Sequence, residues 1–207
     1  MYFPRLTPFV RQLLIVLFGL YVTELIVDNW VGFPMFRWLA LDPYVLGVHT
    51  LWQVWTHVLV VPPTANHVFA FLINLVFLWW IASPFEERYG GRRTAQLCVV
   101  AALSAALPAV LVGQLLPGGS APLFGSGPLT LAAIAAFAYG FRHQGQLSLF
   151  GVVSLKPMHV IYLLLGISLL FFLASRNLVE LVADVGAVGG AILFVRWMSR
   201  PRLRRQP

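Results

Sequence analysis

Long apolar runs separated by short charged or glycine-rich gaps dominate the chain. A helix that spans a bilayer needs about 20 mostly apolar residues. The fourth of six such runs is short, which predicts a helix that begins below the membrane surface, in a cavity walled by other helices. The pattern predicts an all-α polytopic membrane protein, a six-transmembrane-helix bundle. Its helices are expected at roughly Phe9–Val27, His67–Ser83, Thr94–Leu116, Pro128–Phe141, Met158–Ala174 and Leu178–Met198.

Composition agrees with this interpretation and removes several other classes of protein. Of the 207 residues, 59% are hydrophobic and 10% are charged, and the mean hydropathy is +0.83, which is unlike a soluble domain. The single cysteine, Cys98, lies within an apolar run, so no internal disulfide or thiolate cluster is available. No histidines pair at metal-ligand spacing on one helix, so neither a metal nor a cofactor is predicted.

The charge pattern predicts both a partner and an orientation. The formal charge is +7, and the arginines are spread through the gaps between apolar runs. This spread favours contact with acidic lipid headgroups over nucleic acid. Most basic residues flank the same ends of the predicted helices, and only Arg37 and Arg176 fall on the other side. Because basic flanks resist translocation, both termini are predicted to be cytoplasmic, with Ser126 and the first connection, Asp28–Asn66, facing outward.

The whole chain, residues 1–207, is expected to form one membrane domain. Its core covers about 9–198, and a short basic cytoplasmic tail follows at 199–207. The expected location is the inner (cell) membrane of a bacterium. The first helix is expected to be retained and not cleaved as a secretory signal, because Glu24 and Asp28 interrupt the place of a small-residue cleavage site.

The first connection, Asp28–Asn66, is too long and too apolar to be a plain linker. It carries Trp52 and Trp55, and tryptophan favours the headgroup boundary. The segment is therefore predicted to be an interfacial loop, half submerged beside the bundle. An aromatic anchor that only sets depth is an equally good interpretation.

A lone serine, Ser126, stands between two glycines in the stretch PLFGSGP ahead of the fourth apolar run. Gly125 and Gly127 permit backbone turns that a Cβ would forbid, and Pro128 suits the first turn of a helix. A loop that leads into a helix N-terminus also offers N–H groups to a developing oxyanion. The stretch suits acyl-transfer chemistry, or simply the entry of a loop into a membrane helix.

These features together resemble the rhomboid family of intramembrane serine proteases. The features that carry the resemblance are six predicted helices, a long lateral first loop, a serine at the outer end of a short fourth helix, and the pair Gly186 and Gly190 in the sixth helix. The resemblance covers about Trp52 to Val195. It implies a fold in which the fifth helix and the first loop form a lateral entrance for transmembrane segments.

Three short motifs carry the resemblance. The most specific is NLVFLWWIASPFEERYGG, in which Asn74, Glu86 and Gly90 match residues of the family's second helix at the same spacing. The stretch WQVWT is similar to a motif of the first loop, with Gln53 where arginine is usual. The stretch FGSG is similar to the nucleophile motif, with phenylalanine in its first position and Ser126 on the nucleophile.

Two chemical groups that the resemblance implies are missing. The family has a catalytic histidine in its sixth helix, where this chain has Ala183 or Asp184, depending on the register. It has a second histidine, which helps form the oxyanion site, where this chain has Ala70. A placed base contributes about 10²–10⁴-fold and one oxyanion donor about 10²–10³-fold. The leading hypothesis is therefore a pseudoprotease that binds transmembrane segments of client proteins without cleaving them.

The alternative hypothesis is an active intramembrane serine endopeptidase with a relocated base. His67 lies one helical turn before position 70, so it could reach Ser126 while Asp184 orients it. Otherwise His67 bonds to loop backbone or water. His49 and His57 are expected to be interfacial. A small-molecule carrier or channel is disfavoured because paired intramembrane charges and inverted repeats are nearly absent.

Asp184 needs a partner in either hypothesis. A carboxylate within a spanning helix costs about 2.5–3.5 kcal/mol on insertion scales. It is therefore expected to accept a hydrogen bond from Ser126, Thr130 or Asn74, or else to meet water near the outer surface.

Overall fold

The structure is a computed structural model that describes residues 4–45, 47–116, 122–142, 147–149, 153–155 and 157–199. Most of the predicted basic tail lies outside these ranges. The described chain is helical apart from one short antiparallel ribbon. Its elements in chain order are α1 (Pro8–Ile26), extended by a π-helical turn (Val27–Val31), α2 (Met35–Leu39), α3 (Thr50–Thr56) with a 3-10 turn (His57–Leu59), α4 (Ala65–Tyr89), α5 (Gly91–Leu115), α6 (Gly127–Gly140), β1 (Leu147–Leu149), β2 (Val153–Leu155), α7 (Pro157–Ser175) and α8 (Leu178–Met198).

Each of the six predicted segments overlaps one long helix, which confirms the predicted bundle. Five of these helices are long and apolar enough to cross a membrane, and α6 is a shorter apolar helix of 14 residues. The helix α4 runs beyond its predicted end at Ser83, through Pro84, to Tyr89. Proline is tolerated within membrane helices because neighbouring groups satisfy the freed carbonyl.

The short helix α6 lies at the centre of the bundle, in contact with α4, α5, α7 and α8. Five of its alanines are almost completely buried: Ala132, Ala133, Ala135, Ala136 and Ala138. Small side chains allow neighbouring helix backbones to approach closely, which is how helices associate within a bilayer. The helix that carries Ser126 at its N-terminus is therefore enclosed by protein and not by lipid.

The helices α5 and α8 form the most extensive contact in the bundle. They approach each other at Ser104 of α5. A Cβ atom at Gly186 would overlap the carbonyl oxygen of Ser104, and one at Gly190 would overlap its hydroxyl oxygen. The two glycines at four-residue spacing thus permit a close helix crossing.

The helix α1 is attached to the bundle by buried carboxylates near its two ends. Glu86 of α4 accepts hydrogen bonds from the Thr7 hydroxyl and from the backbone N–H groups of Phe9 and Val10. Glu24 of α1 is fully buried and accepts a bond from the backbone N–H of Val61, at 3.2 Å. The first connection is therefore joined to α1 inside the protein.

The first connection is ordered by its own polar contacts. The Gln53 side chain is buried, and its amide nitrogen donates to the carbonyl oxygens of Arg37 and Trp38. The rings of Trp38 and Trp52 are stacked at a centroid distance of 6.4 Å. Both tryptophans remain substantially exposed.

Candidate active site

The loop before α6 is held by the first connection. Leu41 and Leu123 exchange two backbone hydrogen bonds, of 3.0 and 2.7 Å, as an isolated antiparallel bridge. Two residues later, the N–H of Gly125 donates to the carbonyl oxygen of His57, at 2.9 Å. The position of Ser126 therefore depends on the segments around residues 41 and 57.

The two glycines that flank Ser126 have different roles. Gly125 has a φ of +93°, a conformation that glycine adopts without strain and other residues rarely adopt. Gly127 is not among the glycines with positive φ, and a Cβ there would meet nothing within 4 Å. The expectation that both glycines make turns forbidden to a Cβ therefore fails for Gly127, which simply begins α6.

Ser126 is buried, with 1% of its surface exposed, and its hydroxyl meets an amide. The Asn74 side-chain nitrogen donates to the Ser126 hydroxyl oxygen at 2.8 Å, and the Thr130 hydroxyl donates to the Asn74 carbonyl oxygen at 2.6 Å. A carboxamide is neutral and is not a base. The Asn74 contact fixes the serine without removing its proton.

Neither of the two candidate positions on α8 supplies a base to the Ser126 hydroxyl. Ala183 is fully buried in an apolar cluster that includes Leu41, Leu123 and Ala105. Asp184 accepts a hydrogen bond at 2.7 Å from the hydroxyl of Ser168 on α7. The donor is thus none of Ser126, Thr130 and Asn74, the three that were expected. Successive residues on a helix differ in direction by about 100°, so one side chain meets α5 and the next meets α7.

His67, the suggested relocated base, bonds to a neighbour in its own segment. Its Nδ1 atom lies 2.7 Å from the hydroxyl oxygen of Thr64. Its ring meets the ring of Phe124 edge-on at a centroid distance of 5.9 Å. Within the described part of the chain, no histidine is hydrogen bonded to the Ser126 hydroxyl.

His57 is a residue whose position the sequence did not indicate. It was expected to be interfacial, and the structure adds that protein encloses it completely. His49, the other histidine expected there, is partly exposed and meets Trp52 edge-on. One signal was available: His57 opens the apolar stretch VLVV, whereas His49 follows a glycine by two residues.

The chemistry of the His57 ring follows from its contacts. Its Nδ1 lies 3.0 Å from the carbonyl oxygen of Gln53, so Nδ1 carries the proton and Nε2 keeps its lone pair. Nε2 has no hydrogen-bond partner among the described residues. Burial disfavours the charged ring and lowers the pKa of His57 to about 4. The ring is therefore neutral at physiological pH.

Among the described residues, no three His, Cys, Asp or Glu side chains lie close enough together to hold a metal ion. The group that converges at the N-terminus of α6 consists of Ser126, Asn74 and Thr130. These neutral side chains can position a hydroxyl or a polar backbone atom of a bound segment.

Comparison with known protein families identifies the family of this chain. The family model described as Rhomboid domain matches residues 48–200, a range that begins before α3 and extends beyond α8. No curated protein matches the chain. The matched range is well over half of the chain and contains Asn74, Ser126 and Asp184. The chain therefore belongs to the rhomboid family.

Proposed function

We propose that this member of the rhomboid family is a pseudoprotease, which binds transmembrane segments of other membrane proteins and does not cleave them. The observation that carries the proposal is the environment of the Ser126 hydroxyl. It is buried and bonded to the Asn74 amide, and no imidazole is hydrogen bonded to it among the described residues.

The energetic argument concerns the proton of Ser126. A serine hydroxyl is a weak nucleophile until a neighbouring base accepts that proton. The two α8 residues at the base position are an alanine in an apolar cluster and an aspartate bonded to Ser168. A missing base costs about 10²–10⁴-fold in rate. The site is better suited to holding a segment than to hydrolysing it.

The surface of α7 supports the binding part of the proposal. Its side chains Tyr162, Leu170, Phe171 and Leu173 each expose more than 60% of their surface. In a bilayer such a face meets either lipid tails or another membrane helix. The proposed partners are therefore the lipid bilayer and the transmembrane segments of client proteins.

The proposed location is the inner membrane of a bacterium, with both termini in the cytoplasm. Arg88, Arg92, Arg93, Arg142 and Arg196 lie at the helix ends opposite Ser126. Lysine and arginine concentrate on the cytoplasmic side of membrane proteins. One apolar core includes residues of α1 and of α4 to α8, which supports a single membrane domain.

One observation favours a second candidate, an active intramembrane serine protease with an unusual base. The backbone carbonyl of His57 accepts a hydrogen bond from the N–H of Gly125. The buried Nε2 of its ring has a lone pair with no hydrogen-bond partner among the described residues. A neutral imidazole with a free lone pair can accept a proton, but a pKa of about 4 makes this ring a weaker base than an ordinary histidine. His67, next to Phe124, is the other histidine near this loop.

A fluorophosphonate probe on the purified full-length protein distinguishes the two candidates. We expect no labelling above that of the Ser126→Ala variant, because the serine proton has no acceptor. Labelling that Ser126→Ala abolishes would contradict the pseudoprotease proposal. In that case, loss of labelling in His57→Ala or His67→Ala would identify the base.

Client binding is tested by a photo-crosslinking amino acid at position 171 on α7. We expect crosslinks to intact single-span membrane proteins, because Phe171 lies on the exposed face of α7. The matched control is the same amino acid at Leu193, an equally exposed position on α8. Equal crosslinking at both positions, or crosslinks to cleaved fragments, would contradict the proposal.

A further inference from the structure

A groove of about 480 Å³ runs between α5 and α8 at the end of the bundle opposite Ser126. Its lining includes Arg92, Gln96 and Val99 from α5, and Phe194 and Trp197 from α8. These residues lie outside the group around Ser126, and the proposed client binding does not use them.

The lining of the groove changes from polar to apolar with depth. An α-helix rises 1.5 Å per residue, so Val99 lies about 10 Å deeper along α5 than Arg92. On the antiparallel helix α8, Trp197 lies at the rim with 58% of its surface exposed, and Phe194 lies about one turn deeper. Tryptophan at the rim is typical of the headgroup level. The groove therefore has a polar mouth at the interface and an apolar interior.

The mouth of the groove carries positive charge that no described carboxylate neutralises. Arg92 is exposed, and no carboxylate lines the groove. The nearby acid Glu86 is occupied by three donors from the start of α1. The guanidinium of Arg93 lies over the Trp197 ring at 5.9 Å, which adds a second positive charge at the rim. An anion at the mouth would therefore find complementary charge.

We propose that this groove binds a phospholipid with a net negative headgroup. The phosphate lies at the mouth, where Arg92 and Gln96 donate hydrogen bonds to its oxygens. One acyl chain lies along Val99 and Phe194. A lipid that combines an anionic head with an apolar chain matches both halves of the groove, and basic grooves between membrane helices favour such headgroups. A zwitterionic lipid also carries a cation, which the arginines disfavour.

Native mass spectrometry of the full-length protein tests the proposal, with phosphatidylglycerol and phosphatidylcholine of identical acyl chains added separately. We expect the protein to retain phosphatidylglycerol in preference to phosphatidylcholine. Arg92→Gln should weaken phosphatidylglycerol retention about fivefold, the effect of one arginine near a headgroup. Val99→Trp, which fills the groove, should reduce retention of both lipids.

The matched control is Arg142→Gln. Arg142 lies at the same end of the bundle but stacks on the Tyr139 ring, outside the groove. It should leave phosphatidylglycerol retention unchanged. Equal losses in Arg92→Gln and Arg142→Gln would overturn the proposal, because they would indicate a general charge effect. Equal retention of the two lipids by the unsubstituted protein, or full retention by Arg92→Gln, would also overturn it.

Discussion

The His57 imidazole is fully enclosed by protein, and the backbone carbonyl of the same residue bonds to the loop that carries Ser126. Such a ring loses its hydration when the chain folds, and the charged form loses more hydration free energy than the neutral form. The Gln53 carbonyl oxygen replaces the lost hydration of Nδ1 only, because Nε2 has no hydrogen-bond partner among the described residues. Protonation of His57 is therefore coupled to opening of the structure around its ring.

We predict that acid destabilises the protein through His57. The pKa of its ring is about 4 in the folded protein and about 6.5 in the unfolded chain, so between these pH values only the unfolded chain binds the proton. This contribution to stability is complete above pH 6.5 and is lost as the pH falls toward 4. The contribution of His57 to the free energy of unfolding in mixed micelles should fall by about 1.4 kcal/mol per pH unit across this window.

Two variants isolate the effect of His57 from that of other titrating groups. His57→Phe should have a shallower pH dependence than the unsubstituted protein by about that slope. His49→Phe, at a partly exposed histidine in the same connection, should keep the full slope. Parallel pH profiles for the unsubstituted protein and His57→Phe would contradict the assignment.

Site residues differ in how far sequence reasoning could locate their contacts. The contact between Asn74 and Ser126 links two motifs that the family resemblance already singled out. The contact between Asp184 and Ser168 could not be found in this way, because Ser168 lies in a uniformly apolar helix with no motif. Its partner depends on the rotation of α8 about its axis, which packing against α5, α6 and α7 determines.

The crossing of α5 and α8 is the element-scale feature that most depends on residue size. Gly186 and Gly190 lie against Ser104 without space for a methyl group. Alanine is normally a better helix former than glycine by about 0.5–1 kcal/mol. At this crossing the steric effect opposes that preference.

We predict that Gly186→Ala destabilises the bundle by about 1–3 kcal/mol, the usual cost of overpacking a core. The matched control is Gly166→Ala on α7, where a Cβ would meet nothing within 4 Å. That substitution should be neutral or slightly stabilising. Unfolding of both variants in mixed micelles measures the difference, and equal stabilities would contradict the close crossing.

The membrane-spanning helices were predictable because a helix that lies in a bilayer needs a long apolar run, which can be read from the sequence. The predicted run Leu178–Met198 has the same limits as α8, and Pro128–Phe141 differs from α6 by one residue at each end. The short elements of the first connection were not predicted. The helices α2 and α3 have five and seven residues, and bonds to distant groups, such as that from Gln53 to Trp38, hold them together.

At the scale of the whole molecule, α1 lies outside the range that matches the Rhomboid domain, yet it packs into the same core. Two buried carboxylates join it to the matched part, Glu86 at one end and Glu24 near the other. Hydrogen bonds to a charged acceptor contribute about 1.5–3 kcal/mol each. The polar part of the attachment of α1 therefore depends on few residues.

We predict that Glu86→Gln loosens α1 and lowers the free energy of unfolding by about 2–3 kcal/mol. The amide nitrogen that replaces one carboxylate oxygen cannot accept the bonds made to that oxygen, which are those from Thr7 and Val10 at Oε2 or that from Phe9 at Oε1, and the remaining oxygen loses its charge. Glu87→Gln, at the exposed neighbour, should change it by less than about 0.5 kcal/mol. Hydrogen exchange at the start of α1 should accelerate in the first variant alone; similar exchange in both would contradict this attachment.

The packing of Ala183 bears on how reversible the inferred loss of hydrolysis could be. Its methyl group is enclosed by Leu41 and Leu123 and by alanines of α5, with none of its surface exposed. An imidazole at that position would need several additional atoms of space in a region already at crystal-like density. A histidine at position 183 would thus require matched changes in α5 and the first connection. Ala183→His alone should therefore disturb the packing of α8 before its ring could serve as a base.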